Sequence, residues 1–282
     1  MDLRALKRAI THFLEEDIAG GDVTSEAIFT ADQPGKAIFI AKQEFVVAGI
    51  ETVAPLVFQT RNPAVRCRPV KDGIRAKPGD TLLTVSGPVR DLLAAERVAL
   101  NLCQRMSGIA TLTARFVETV DGLPVRILDT RKTTPGLRSL EKYAVTVGGG
   151  HNHRFTLNDL ILIKDNHIAA AGSIAGAVQK VRDYAPKNLK IEVECETISQ
   201  VRQALAAKAD IIMLDNMTLS RMRQAVSLAK GKALLEASGG ITLKNIRRIA
   251  ETGVDCISVG ALTHSAPAVD ISMELLNPQS PS

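Results

Sequence analysis

The sequence predicts an α/β chain: a parallel sheet rolled into a closed or nearly closed barrel, preceded by a β layer carrying a helix. Three observations predict it. From residue 125 onward, apolar strand-like runs alternate with segments of helical periodicity, the pattern of parallel strands joined by crossover helices. Almost every one of these runs finishes on a polar residue or glycine (Asp129, Lys164, Glu194 or Glu196, Asp215, Ser238, Gly260), as expected where strand C-termini converge on one barrel mouth. Residues 35–88 instead show short β runs separated by turn residues. No GxGxxG follows a strand, so a dinucleotide-binding sheet has little support. Six or seven strand–helix units are visible, not a strict eight.

A chain of 282 residues is long enough to bury a substantial core, as one large domain or two smaller ones. Trp is absent and only two Tyr are present, which argues against an aromatic platform for single-stranded nucleic acid. The formal charge of +5 is spread among acids, with no tract of like charge, and a basic pocket for a small polyanion accounts for it. Cys67, Cys103, Cys195 and Cys256 form no CxxC pair, so a reducing, cytoplasmic setting is expected. No apolar run reaches the roughly 18 residues of a membrane span.

In chain order, Leu3, Leu6, Ile10, Phe13 and Leu14 recur at helical spacing, and the glycines of 17–22 end that helix in a loop. Short strands follow at 37–41 and 45–49, then a helix near 50–58. The Pro-Gly turn of 77–80 leads into a strand at 81–85. Residues 90–120 read as a long helix, with a break expected at Ser107-Gly108. Strands are then expected at 125–129, 160–164, 190–196, 211–215, 233–238 and 256–260. Helices are expected at 174–184, 198–207, 219–229, 243–252 and 267–276.

The chemistry concentrates at the strand ends. Arg131, Lys132, Arg154 and Lys164 fall within 129–168, several directly after apolar runs, and cations there require an anionic partner because desolvating them unpaired costs several kcal/mol each. Strand 191–196 alternates strictly, placing Glu192, Glu194 and Glu196 on one face; inside a barrel they would need partners such as Lys132 and Lys164. A solvated edge strand would show the same alternation. Asp215 ends a fully apolar strand, as a helix cap or as a carboxylate for ligand hydroxyls or Mg²⁺. Ser238-Gly239-Gly240 and Ser258-Val259-Gly260 follow the last two strands, where barrels commonly hold phosphate on backbone N–H groups. His151 and His153 lack helical spacing and an evident third ligand, which disfavours zinc.

Taken together, these segments resemble quinolinate phosphoribosyltransferase nearly end to end. The resemblance rests on Asp129-Thr130-Arg131-Lys132-Thr133-Thr134-Pro135-Gly136, Asn152-His153-Arg154, Leu162-Ile163-Lys164-Asp165-Asn166-His167 and Glu192-Val193-Glu194. It continues through Met213-Leu214-Asp215-Asn216, Ala237-Ser238-Gly239-Gly240 and Gly260-Ala261-Leu262-Thr263-His264-Ser265. It implies an N-terminal α/β sandwich over 1–107, joined by a C-terminal helix 267–282, and an open six- to seven-stranded α/β barrel over 108–266. It also implies an obligate homodimer with shared sites, Mg²⁺, and the substrates quinolinate and phosphoribosyl pyrophosphate, with the product entering NAD biosynthesis. By the same resemblance Arg131, His153, Arg154 and Lys164 surround quinolinate's carboxylates, with Arg97 arriving from the second subunit. Lys132, Glu194 and Asp215 are the expected catalytic residues, the two acids also holding the metal. Thr130, Lys132, Lys164, Ser238, Gly239, Gly240, Ser258 and Gly260 are expected to take the phosphoribosyl group. The rival readings are a paralogue acting on another aromatic acid, such as nicotinate, or linked to molybdate metabolism, and a basic nucleic-acid-binding protein. Neither nucleic acid nor membrane is expected as a partner.

Overall fold

The computed structural model describes residues 2–276, which divide into two compact units. The first comprises residues up to 112 together with 134–148 and 266–276; the second comprises 113–133 and 149–265. Among the described residues no helix is long and apolar enough to cross a membrane.

The chain opens with α1 (Leu3–Ile18), α2 (Val23–Ile28), β1 (Pro34–Ala41), β2 (Phe45–Val46) and α3 (Val53–Arg61). It continues with β3 (Arg66–Pro69), β4 (Arg75–Ala76), β5 (Thr81–Pro88) and the 31-residue α4 (Val89–Thr119). Then come β6 (Arg126–Leu128), α5 (Arg138–Val147), β7 (Ile161–Ile163), α6 (Asp165–Ala171), α7 (Ile174–Tyr184) and β8 (Ile191–Cys195). The remainder is α8 (Ile198–Ala206), β9 (Ile211–Asp215), α9 (Leu219–Ala229), β10 (Leu234–Ser238), α10 (Ile246–Ala250), β11 (Cys256–Ser258), α11 (Ala261–His264) and β12 (Ile271–Leu275).

In the first unit an antiparallel sheet of order β12-β1-β5-β3 is covered by helices. Asp2 caps α1 by accepting from the Arg4 and Ala5 amides, and Leu6, Ile10 and Leu14 bury one face of that helix, which packs on α3. Phe39 of β1 meets Phe58 of α3 edge-on at 5.9 Å, tying sheet to helix through a fully buried aromatic pair.

Two expectations fail in this unit, each for a visible reason. The helix expected over 267–276 is the strand β12, pairing antiparallel with β1 from Ala37↔Leu275 to Ala41↔Ile271. Ile271, Met273 and Leu275 alternate with Ser272 and Glu274, a period of two that outweighs helical spacing once β1 offers an edge. Residues 277–282, where the expected helical extension falls, lie outside the described residues. Nor does α4 break at Ser107-Gly108. The buried Ser107 hydroxyl accepts from the Ala48 amide at 3.0 Å and donates to its carbonyl at 3.1 Å. A Cβ on Gly108 would lie 2.0 Å from the Pro267 carbonyl oxygen. The glycine permits close approach of backbone; it does not end the helix.

The second unit is built on a six-stranded, wholly parallel sheet of order β6-β11-β10-β9-β8-β7. All six strands expected from the alternation are present, and α7 and α9 match the expected bounds. β6 and β7 are the sheet's two edges, so the barrel is open, and a lone parallel bridge from Leu128 to His151 extends the β6 edge. Short elements escaped the periodicity: α2, β3, β4, α5, α6 and α11. In α5, Glu141 and Lys142 are both buried beside Leu140, Ala144 and Val145. Glu141 there accepts from Arg105 of α4 at 2.7 Å.

Candidate active site

The C-terminal ends of β6 to β11 surround a cavity of about 770 Å³, entirely within the second unit. It brings together the expected Thr130, Arg131 and Lys132 after β6, His153 and Arg154 before β7, and Lys164 after β7. Glu194 of β8, Asp215 of β9, Ser238, Gly239 and Gly240 of the β10 end, and Ser258 and Gly260 of the β11 end complete it. Arg97 is exposed on α4 and belongs to the first unit.

The loop after β6 is pinned at both ends. Thr130 Oγ1 accepts from the Lys132 amide at 3.0 Å, and Thr263 donates to the Lys132 carbonyl at 2.8 Å. A Cβ on Gly260 would lie 3.2 Å from Lys132 Cδ, so the missing side chain there makes room for the lysine stem. Lys164 Nζ lies 3.3 Å from Glu194 Oε2. Glu192 and Glu196, expected beside these lysines, go elsewhere. Glu192 is fully buried against His153, whereas Glu196 is exposed at the start of α8, its amide bonded to Gln200.

Arg131 and Arg154 define the electrostatics. Arg131 Nε is buried with no hydrogen-bond partner. Burial first, then the like charge of Arg131, lowers the Arg154 guanidinium below its usual value, with Glu192 and Asp159 opposing the shift. Two guanidiniums that raise each other's energy in one cavity, one with an unsatisfied donor, make a site poised for a dianion.

Glu194 and Asp215 supply carboxylates from adjacent strands. Asp215 is oriented by Asn216, whose Nδ2 donates to its Oδ2 at 2.9 Å. Asn216 adopts a left-handed backbone with φ 51°, its amide bonded to the Ser238 carbonyl at 2.9 Å. Its side chain fills the space above Gly239, where a Cβ would come within 2.2 Å of Asn216 Oδ1. Asn245 closes the same loop, accepting from the Thr242 amide at 2.8 Å and donating to the Gly240 carbonyl at 2.9 Å. The helices behind these glycine loops, α10 and α11, are only five and four residues long. Backbone amides of the loops, more than helix dipoles, are what this end offers a phosphate.

Below the cavity floor His153 meets two buried acids: Nε2 is 3.0 Å from Glu192 Oε2 and 3.5 Å from Glu236 Oε1. Ser258 donates a short hydrogen bond to Glu236. Burial, and then the neighbouring Glu192 carboxylate, pushes Glu236 up from 4.5 to about 7, against the pull of His153, Ser258 and Arg126. Sequence reasoning passed over Glu236 and Asn216. The signal for the first was a lone acid inside the apolar run Leu234–Ser238; for the second, the step beyond a strand end already marked by Asp215.

Comparison with known proteins agrees over nearly the whole length. Residues 22–107 match the model of the quinolinate phosphoribosyl transferase N-terminal domain, and 109–274 that of its C-terminal domain. A probable nicotinate-nucleotide pyrophosphorylase (carboxylating) of Bacillus subtilis is 47% identical over 270 residues, covering 96% of this chain and 93% of that protein. The Mycobacterium leprae nicotinate-nucleotide pyrophosphorylase (carboxylating) is 44% identical over 278 residues, covering 96% and 97% respectively. The crystal structure of NadC from Streptococcus pyogenes superposes with a TM-score of 0.94 at 43% identity, covering 98% of this chain and 99% of that one.

Proposed function

The chain belongs to the quinolinate phosphoribosyltransferase family, and on that premise we propose that its cavity converts quinolinate and phosphoribosyl pyrophosphate into nicotinate mononucleotide, pyrophosphate and CO2, a step of NAD biosynthesis. The observation that carries this reading is the opposed pair Arg131 and Arg154. A pyridine dicarboxylate relieves their repulsion, and the guanidinium fork matches a planar carboxylate. Lys164 adds a third cation, and its contact with Glu194 would yield to a stronger anion.

In this mechanism the pyridine nitrogen attacks the anomeric carbon of the ribose as the bond from that carbon to pyrophosphate breaks. Positive charge develops at the anomeric carbon, and the carboxylates of Glu194 and Asp215, which both line the cavity, stabilise it. Lys132, its stem lying over Gly260, neutralises the departing phosphates. The glycine loops after β10 and β11 hold the 5′-phosphate on backbone N–H groups. The donor chemistry of Glu194 and Asp215 fits Mg²⁺ bound through one or two carboxylates plus substrate phosphates, and bound there it would supply further charge to the leaving group. In the second step the bond from ring carbon 2 to its carboxylate breaks. The electron pair left on carbon 2 is stabilised by the adjacent cationic nitrogen and takes a proton from water. No covalent enzyme intermediate is required.

The proposal includes a homodimer whose second subunit brings Arg97 to the site, supported by the exposure of Arg97 in the first unit. It also includes a cytoplasmic location, supported by four free thiols. The test is substrate choice with purified protein and Mg²⁺. Quinolinate is turned over, and nicotinate, lacking the second carboxylate, shows a kcat/KM lower by about 10⁴-fold. Equal use of the two acids would contradict the role given to the arginine pair.

A further inference from the structure

Arg154 stands in a stretch, 152–160, that has neither helix nor strand to hold it. Its guanidinium donates to the Leu160 carbonyl at 3.2 Å, Asp159 accepts from the Phe155 and Thr156 amides at 2.8 Å, and the residue before Arg154 ties the stretch to the sheet. The His153 amide donates to Asp129 Oδ1 at 2.8 Å, anchoring this loop to the end of β6. The His153 ring then binds in two directions. Nδ1 accepts from the Arg154 amide at 2.9 Å, while Nε2 faces Glu192 at 3.0 Å and Glu236 at 3.5 Å. A ring nitrogen that accepts an N–H carries no proton, so this arrangement corresponds to a neutral ring with its proton on Nε2, directed at the two acids. β9 separates β8 from β10, and β11 separates β10 from β6. The imidazole therefore joins two non-adjacent strands, β8 and β10, while the His153 backbone amide ties the loop to the end of β6.

The two acids are 0% and 2% exposed, a costly placement that apolar residues would fill at less expense if packing were the only purpose. Glu236 is itself held by the Ser258 hydroxyl, and Arg126 approaches it from β6. The acceptor atoms of His153, Glu192 and Glu236 lie within 4.8 Å of one another, a grouping that could hold a cation. The proton on Nε2 occupies the lone pair that such a cation would need, and the grouping is read instead as a proton-sharing cluster.

We propose that Glu192 and Glu236 are positioning residues: they fix His153 as its neutral Nε2–H form, and through the ring's hydrogen bond to the Arg154 amide they set the Arg154 guanidinium for the substrate carboxylate. The step from ring to substrate rests on the functional reading above. The ring state does not.

The experiment has one arm for each. Long-range proton–nitrogen spectra of protein labelled in histidine, with His153 assigned through His153→Asn, show the ring in the free protein near neutral pH. An unprotonated Nδ1 and a protonated Nε2 are expected; an Nδ1–H ring or an imidazolium overturns the proposal. In steady-state kinetics Glu236→Ala raises KM for quinolinate about tenfold, leaving kcat and KM for phosphoribosyl pyrophosphate nearly unmoved. Glu236→Gln, an isostere of the neutral acid, restores both KM and the ring spectrum. A merely structural role lowers stability and reduces kcat without a selective rise in KM, and that outcome also overturns the proposal. Wild-type protein inactive on quinolinate but carrying the Nε2–H ring would sink the functional reading alone.

Discussion

Glu236 takes up a proton on folding that the unfolded chain releases. Its carboxyl titrates at about 7 in the fold and at 4.5 when unconstrained. Between those values the native state binds more protons than the unfolded state, so this contribution to stability is complete below the lower value and is lost as pH rises through the higher one. The thermal midpoint of wild type should therefore fall by a few degrees relative to Glu236→Gln as pH goes from about 5 to about 8. Parallel curves would show that Glu236 is ionised throughout. Lys132 gives a different outcome: Lys132→Ala should lower kcat by about 100-fold or more with an unchanged melting curve, and near-normal turnover would remove its role at the leaving group. At this scale the sequence revealed residues that end apolar strands, because a charge there breaks a visible pattern. Arg131, Lys164, Glu194 and Asp215 were read in that way. Glu236 was not, because one acid among Leu234, Leu235 and Ala237 becomes meaningful only when His153 and Glu192 arrive from other strands.

Among the elements, the loop after β10 offers a graded test. Gly239 has φ +90° and Gly240 has φ +61°, but only Gly239 would drive a Cβ into Asn216, at 2.2 Å; nothing lies within 4 Å of a Cβ on Gly240. Gly239→Ala should cost about 1–3 kcal/mol in urea unfolding and disturb Asp215 through the displaced Asn216 amide, lowering kcat as well. Gly240→Ala carries the backbone strain alone, about 1–2 kcal/mol. Equal effects on turnover would mean that Asn216 does not orient Asp215. The parallel strands were legible because each is a short apolar run bounded by turn residues. β12 and the unbroken α4 were not, since both depend on distant partners. β12 becomes a strand because β1 needs a neighbour, and Gly108 serves a helix whose contact with Pro267 lies far along the chain. Local periodicity has no access to such pairings.

At the scale of the whole molecule, the proposed homodimer predicts complementation. Arg97→Ala and Arg154→Ala should each be inactive alone. In an equimolar mixture with free subunit exchange, half the dimers are hybrids with one intact site each, so about a quarter of wild-type activity should return. Exchange without recovery would place Arg97 outside the site. The barrel and the acid-binding character of its mouth were readable from order and composition, whereas the sharing of residues 134–148 with the first unit was not, because contact, not chain order, decides it. The proposed reaction joins phosphoribosyl transfer to loss of a carboxylate in one cavity. Its most direct measurement uses quinolinate labelled with ¹³C in the carboxylate at ring carbon 2, with phosphoribosyl pyrophosphate and Mg²⁺. Labelled CO2 should appear in equal amount to nicotinate mononucleotide, and none should appear without phosphoribosyl pyrophosphate. Release of the label without the sugar donor, or a nucleotide product that retains it, would contradict the account.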